Sequence, residues 1–122
     1  MTETYLADTY ALIEIAGGNR NYIQYEDSNI MTTKFALAEL FHYFLKNFGS
    51  NLANLYLVRG WQLLTQVTMD AIKLGMAFKI SHKSENLSYA DCIGYGVACQ
   101  LGIRFLTGDE KFRNKENVEF VK

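Results

Sequence analysis

Proline is absent from the 122 residues of this chain, and no repeat, low-complexity tract or linker composition takes its place. Nothing marks a domain boundary, so residues 1–122 are expected to form one domain. No segment approaches the ~20 uninterrupted apolar residues of a membrane span. The opening MTETYLADTY has no basic region leading into an apolar run, so the expectation is a cytoplasmic protein without membrane contact. A charge excess is missing too: the formal net charge is −1, so no global positive field draws the chain onto nucleic acid, and a polyanion must be held by local contacts. Cysteine is scarce, with only Cys92 and Cys99. They lack the close pairing and histidine partners of a zinc site and are expected to be reduced core residues. Gly17-Gly18 matches neither glycine-rich phosphate-loop pattern, H-E-x-x-H does not occur, and no serine or cysteine stands in a nucleophile elbow.

The 49% of hydrophobic residues is enough to bury a core. Tyr5 to Ala7 reads as a short strand, followed by Asp8 and then by TYALIEIA as helix up to Gly17-Gly18. A second strand is expected at Asn29 to Met31. Thr33 then caps KFALAELFHYFLKNF, with Leu37, Leu40, Phe41, Phe44 and Phe48 as its core stripe and Gly49 as its stop. LANLYLVRGWQLL is expected to be a helix that is apolar almost all round, with a short extended piece at Gln66 to Thr68 after it. DAIKLGMAFKISHK and YADCIGYGVACQLG follow as helices, then Ile103 to Thr107 as strand, a short polar helix and a last strand at Val118 to Val121. Strands alternating with helices predict an α/β fold in three layers, with a mainly parallel central sheet flanked by helices.

In such a sheet ligands gather beyond the carboxyl ends of the strands, where Asp8 and Asp109 fall. Each also has a structural role open to it, Asp8 as an N-cap and Asp109 in a turn beside Gly108. Asp91 could complete a capping box with Ser88, yet it shares a helix face with Gly94, Ala98 and Gly102, small residues that suit close packing. A carboxylate facing a packed surface needs compensation. Glu39 lies opposite the apolar stripe of its helix, beside Phe35, His42, Tyr43 and Lys46, where either a solvated glutamate or a cleft fits.

LADTYALIEI, Glu39 within LAELFHYF, Asp91 within SYADCIGYGVA, and TGDEKF at 107 to 112 resemble, in that order, the acidic signature of the PIN-domain family. Among chains of this size the resemblance is to the VapC-type toxins, the ribonuclease members of toxin-antitoxin pairs. It implies a PIN-like fold in which Asp8, Glu39, Asp91 and Asp109 are catalytic, metal-binding carboxylates for one or two Mg²⁺ or Mn²⁺ ions, with Thr9 and Thr107 as supporting hydroxyls. The implied activity is endonucleolytic hydrolysis of RNA to a 5′-phosphate and a 3′-hydroxyl. Hard ions held by carboxylate oxygens suit that chemistry. Lys111, Arg113 and Lys115 are candidate phosphate contacts, although each taken singly reads first as part of a solvated charged helix. Tyr10 and Tyr43 could stack a base, but packing is the better reading of both.

Converging carboxylates repel, so at least one should carry a raised pKa. Two rival classes compete: a PIN-like scaffold acting only through protein contacts, and a Mg²⁺-binding receiver-type signalling domain. The receiver would need a second acid beside Asp8 and a central phosphoacceptor aspartate, but Thr9 follows Asp8 and no aspartate occurs from Ser28 to Met69. Glu39 and His42 form half of a di-iron E-x-x-H pattern whose other half is missing. The nearly uncharged segment from Asn47 to Met69 predicts a surface that meets another chain, as a homodimer. The family resemblance adds an antitoxin protein as a further partner.

Overall fold

The computed structural model describes residues 2–122. Four strands, β1 (Thr4–Ala7), β2 (Asn29–Met31), β3 (Arg104–Thr107) and β4 (Val118–Phe120), form one sheet in the order β2-β1-β3-β4. Every pairing is parallel: Leu6 lies opposite Met31 on one side and Phe105 on the other, and Thr107 opposite Phe120. Five α-helices accompany them: α1 (Thr9–Ala16), α2 (Lys34–Phe48), α3 (Ser50–Trp61), α4 (Met69–Ser81) and α5 (Tyr89–Leu101). Among the described residues no helix is long and apolar enough to cross a membrane.

Side chains along a strand alternate between its faces, and here the alternation divides the core in two. Tyr5, Ala7 and Leu106 pack with Leu12, Leu37, Leu40 and Phe44 from α1 and α2. Leu6 and Phe105 pack on the opposite face with Ala71, Ile93, Tyr95 and Val97 from α4 and α5. Both faces of a parallel sheet are thereby covered, giving the three layers expected.

Helix boundaries follow their caps. Thr33 accepts the Ala36 amide at 3.1 Å to open α2, and Gly49, at φ 92°, ends it in a backbone conformation that β-carbons disfavour. Arg20–Asp27 forms a 3₁₀ segment that sequence periodicity does not reveal; Tyr22 and Tyr25, three apart, pin it to the core. Three expectations are corrected. Phe48 is 60% exposed rather than part of the α2 core stripe; it lies in the last turn, where its ring meets those of Tyr43 and Phe44 on its own helix. Cys99 is exposed, although Cys92 is buried, and both are free thiols. Gln66 to Thr68 is no strand; the pairing in that region is a single bridge from Thr32 to Leu64.

α4 and α5 approach through glycines. A β-carbon on Gly96 would stand 2.3 Å from the Ala71 carbonyl oxygen, and one on Gly75 would stand 2.5 Å from that of Cys92. Neither neighbour can swing aside, since both are helix backbone. Alanine normally gains about 1 kcal/mol over glycine inside a helix, but overpacking costs about 1–3 kcal/mol or more, so the clash should decide the sign. Gly96→Ala and Gly75→Ala are each expected to lower the midpoint of urea unfolding; an unchanged or raised midpoint would show that the two helices can separate freely.

Candidate active site

β1 and β3 are neighbours, and the chain leaves them toward opposite edges of the sheet. Their carboxyl ends therefore form a topological switch point, where loops diverge and leave a crevice. Asp8 follows β1 directly and Asp109 comes two residues after β3 ends.

Asp8 is buried, only 3% exposed. Its Oδ1 accepts the Ala11 amide at 2.9 Å, so it does cap α1. Its Oδ2 accepts the buried Thr107 hydroxyl, and Thr107 Oγ1 in turn accepts the Asp109 amide at 3.0 Å. One threonine thus ties the turn after β3 to the carboxylate after β1. Each Asp8 oxygen takes one of these donors and keeps a second lone pair. Asp109 is half-buried, and its Oδ1 accepts the Lys111 amide at 3.0 Å, the local turn expected of an aspartate beside glycine.

Glu39 is exposed on α2. Thr9 Oγ1 lies 2.8 Å from Glu39 Oε1 and 3.2 Å from the Ala36 carbonyl oxygen. A hydroxyl carries one proton, and the shorter contact marks Glu39 as its main acceptor. Asp91 sits half-buried in the first turn of α5, where its amide donates to Ser88 Oγ at 3.0 Å, the Ser88 half of the capping box. Of the small residues on the Asp91 face, Gly94 lies against the Phe105 ring and Leu6 and Ala98 is buried, whereas Gly102 is exposed and caps the helix with nothing packed on it.

The four acids share one electrostatic neighbourhood. Burial, then the charge of Asp91, raises the pKa of Asp8 from 3.8 to about 8, with Asp109 adding to the rise and the Thr107 and Ala11 hydrogen bonds opposing it. Burial, then Glu39, raises Asp91 to about 6, with Asp109 again adding and Ser88 and Lys111 opposing. Buried like charges that raise each other's pKa mark a place where a cation gains most. The donors are hard carboxylate and hydroxyl oxygens, which fit Mg²⁺ or Mn²⁺ better than a soft metal. Among the described residues no three carboxylates stand close enough to grip a single ion directly. An ion here would take one or two of them and complete its sphere with water, as Mg²⁺ ordinarily does.

The basic residues after Asp109 divide. Arg113 is held by Glu110 in a two-point contact of 2.8 and 2.7 Å, and Lys115 pairs with Glu85 at 2.5 Å. Lys111 bonds the Asn86 carbonyl at 3.2 Å and is the one whose charge reaches Asp91. Tyr10 packs against Gly108, and Tyr43 lies edge-on to Phe44 with ring centres 5.3 Å apart, so packing accounts for both rings. Sequence reading passed over Lys79 and Tyr89, which line a cleft reaching Glu39. The available signal was the position of Tyr89 two residues before Asp91.

A PIN-domain family model matches residues 5–118. No curated protein matches the chain in sequence. Among solved structures, the Mycobacterium tuberculosis VapC20 toxin, described as cleaving the sarcin-ricin loop, superposes with a TM-score of 0.77 at 18% identity, over 98% of this chain and 100% of that one. A toxin-antitoxin complex from Klebsiella pneumoniae gives 0.73 at 17% identity, over 94% and 95%. VapBC2 of Rickettsia felis, bound to a DNA fragment from its promoter, gives 0.72 at 14%, over 98% and 99%. At these identities the likeness is one of fold.

The raised carboxyl pKa values dictate a pH dependence. The folded state binds these protons more tightly than the unfolded chain. Their contribution to stability is therefore complete below about pH 4 and is lost as pH rises through about 6 for Asp91 and about 8 for Asp8. In metal-free buffer the melting temperature should fall between pH 5 and 8, by the equivalent of a few kcal/mol at most. Asp8→Asn should flatten the upper part of that fall; a wild-type melting temperature that rises over this range would contradict the assignment.

Proposed function

Since this chain belongs to the PIN-domain family, we propose that it is a single-domain, metal-dependent endoribonuclease, the toxin of a toxin-antitoxin pair, acting in the cytoplasm. The observation that carries the proposal is the buried Asp8 carboxyl at the switch point, with Asp91 and Asp109 in its field and Thr107 fixing its orientation. A merely structural cap gains nothing from a second and third acid nearby.

The proposed metal ligands and catalytic acids are Asp8, Glu39, Asp91 and Asp109. Mg²⁺ or Mn²⁺, as one ion or two, would supply a water of lowered pKa and offset negative charge on the phosphate. The residues do the positioning. Asp8 is immobilised through both oxygens, Asp109 is tied to the same threonine, and Thr9 holds Glu39 from the first turn of α1. Lys111 would meet a backbone phosphate, a reading supported by its freedom from a carboxylate partner among the described residues, whereas Arg113 and Lys115 would first have to leave theirs.

The proposed homodimer draws support from the exposure of Leu55, Val58 and Trp61 on α3 at 43%, 64% and 55%. A helix that the monomer leaves so open suits a second copy. An antitoxin partner is supported by the similarity to toxin-antitoxin complexes, and an apolar groove lined by Leu12, Ile15, Leu40, Tyr56 and Leu63 could receive an amphipathic segment of it.

Purified protein should cleave single-stranded RNA in Mg²⁺ or Mn²⁺ and lose that activity in EDTA. Asp8→Asn, Asp91→Asn, Asp109→Asn and Glu39→Gln should each reduce cleavage at least a hundredfold, on the order of 3 kcal/mol of barrier. Saturating ion, a hundredfold above its dissociation constant, should also stabilise the fold by about 2.7 kcal/mol. Undiminished cleavage in EDTA would refute the proposal. Light scattering over a dilution series should report a dimer for the native chain and a folded monomer for Leu55→Glu or Val58→Glu; a native monomer at every concentration would remove the homodimer.

A further inference from the structure

Beside the acid cluster runs a second feature that neither catalysis nor core packing explains. The first turns of α2 and α5, with the loop between α4 and α5, enclose an open cleft of about 600 Å³ lined by Phe35, Ala38, Glu39, Lys79, Asn86 and Tyr89. That volume falls within the range of small-ligand sites. Glu39 belongs to both the cleft and the acid cluster, so the two are continuous.

The walls are unusual for a surface. Phe35 is 45% exposed and Tyr89 is 66% exposed. Phe35 stands four residues before Glu39 on the same face of α2, and Tyr89 opens α5 two residues before Asp91. Neither ring stacks on another aromatic ring among the described residues. Lys79 supplies a cation. Its ammonium donates to the Leu87 carbonyl and lies 4.6 Å from the centre of the Tyr89 ring, and among the described residues it makes no ion pair with a carboxylate. Lys111 bonds the Asn86 carbonyl, one residue along the same loop. The loop therefore carries one ammonium on the cleft and another near Asp91.

Two exposed rings, an ammonium that has no carboxylate partner beside one of them and a carboxylate cluster next door match the requirements of one occupant, a nucleotide. Its base needs aromatic faces, its phosphate needs a cation, and the neighbouring phosphodiester must reach the acids. An apolar peptide would use the rings but would leave Lys79 and Glu39 unanswered. We propose that this cleft is a base-binding subsite, in which a base flanking the scissile phosphate stacks on Phe35 and Tyr89 while Lys79 contacts its phosphate; the proposal rests on the nuclease reading and adds that the substrate must present an unstacked, single-stranded base. A base held in a duplex has no free faces and cannot enter.

Cleavage and stacking are read separately. A single-stranded RNA oligonucleotide carrying one 2-aminopurine, and its duplex form, are mixed with the intact protein in Ca²⁺ to follow fluorescence quenching and in Mn²⁺ to follow cleavage. The single strand should be quenched and the duplex should not. Phe35→Ala and Tyr89→Ala should each raise KM between about fivefold and a hundredfold, with kcat changed much less and the melting temperature within a degree or two of wild type. Phe35→Leu, which keeps bulk but loses the ring, should behave like Phe35→Ala, and Tyr89→Phe should retain wild-type quenching. Wild-type cleavage with quenching and KM untouched in both alanine variants would overturn the subsite and leave the nuclease standing. Quenching that depends on both rings, without cleavage in any divalent ion, would overturn the nuclease and leave a nucleotide-binding cleft. Alanine variants that cleave normally but no longer hold a copurifying protein partner would assign the cleft to that partner instead.

Discussion

The Asp8 carboxyl is held inside the protein at the point where the two central strands end, and the arrangement around it answers the cost of keeping it there. A buried carboxylate without hydrogen bonds would be costly to ionise. Asp8 receives the Ala11 amide and the Thr107 hydroxyl, yet burial and the charge of Asp91 outweigh both, and its pKa rises to about 8. The same side chain therefore opens α1, anchors the turn after β3 through Thr107, and holds a proton that an incoming cation would displace. The cap takes one lone pair of Oδ1 and Thr107 one of Oδ2, so capping does not exhaust the acceptor capacity of the carboxylate.

Bringing Asp91 into that field requires the opposite layer to come close. α5 lies on the sheet through Gly94, which touches Phe105 and Leu6, while Gly75 and Gly96 let α4 press against its outer side. Burial of the α5 face from Cys92 to Ala98 follows from that packing, and Asp91 sits at its rim with Ser88 ordering the turn. Packing energy spread over the apolar layer thus holds a carboxylate where its own electrostatics would not place it, a common division of labour between scaffold and site.

Much of this was legible in the sequence, for identifiable reasons. α2 was read at Lys34–Phe48 because a threonine cap, an apolar period and a terminal glycine agree locally. The parallel sheet followed from alternation of short strands with helices, and Asp8 and Asp109 from the rule about strand ends. What escaped depends on long-range contact. The 3₁₀ segment Arg20–Asp27 is polar except at Tyr22, Ile23 and Tyr25, and its order derives from tyrosine hydroxyls reaching the Val121 carbonyl and Glu119 at the far edge of the sheet. Phe48 and Cys99 have core-like chemistry but stand where no other layer covers them. Arg113 and Lys115 read as open cations until Glu110 and Glu85 are found beside them. Tyr89 gave no periodic signal because it lies at a helix start, and only the fold brings it into one cleft with Phe35 and Glu39 of α2.

Net charge and local charge lead to different conclusions about how such a chain could engage a polyanion. A formal charge of −1 offers no long-range attraction, and several of the cations are already committed to the protein's own carboxylates. Lys79, which shares a cleft with Glu39, and Lys111, whose charge reaches Asp91, are bonded to main-chain carbonyls of one loop instead. A neutral carbonyl orients an ammonium without cancelling its charge, so both cations keep their attraction for phosphate. Two such contacts displace few counterions, and affinity would owe little to the general field of the backbone. On the nuclease reading, recognition then depends on short-range terms, namely the divalent ion at the acids and the aromatic faces of Phe35 and Tyr89. Those terms discriminate by the shape and accessibility of a base, whereas a broadly basic surface would grip duplex and single strand alike.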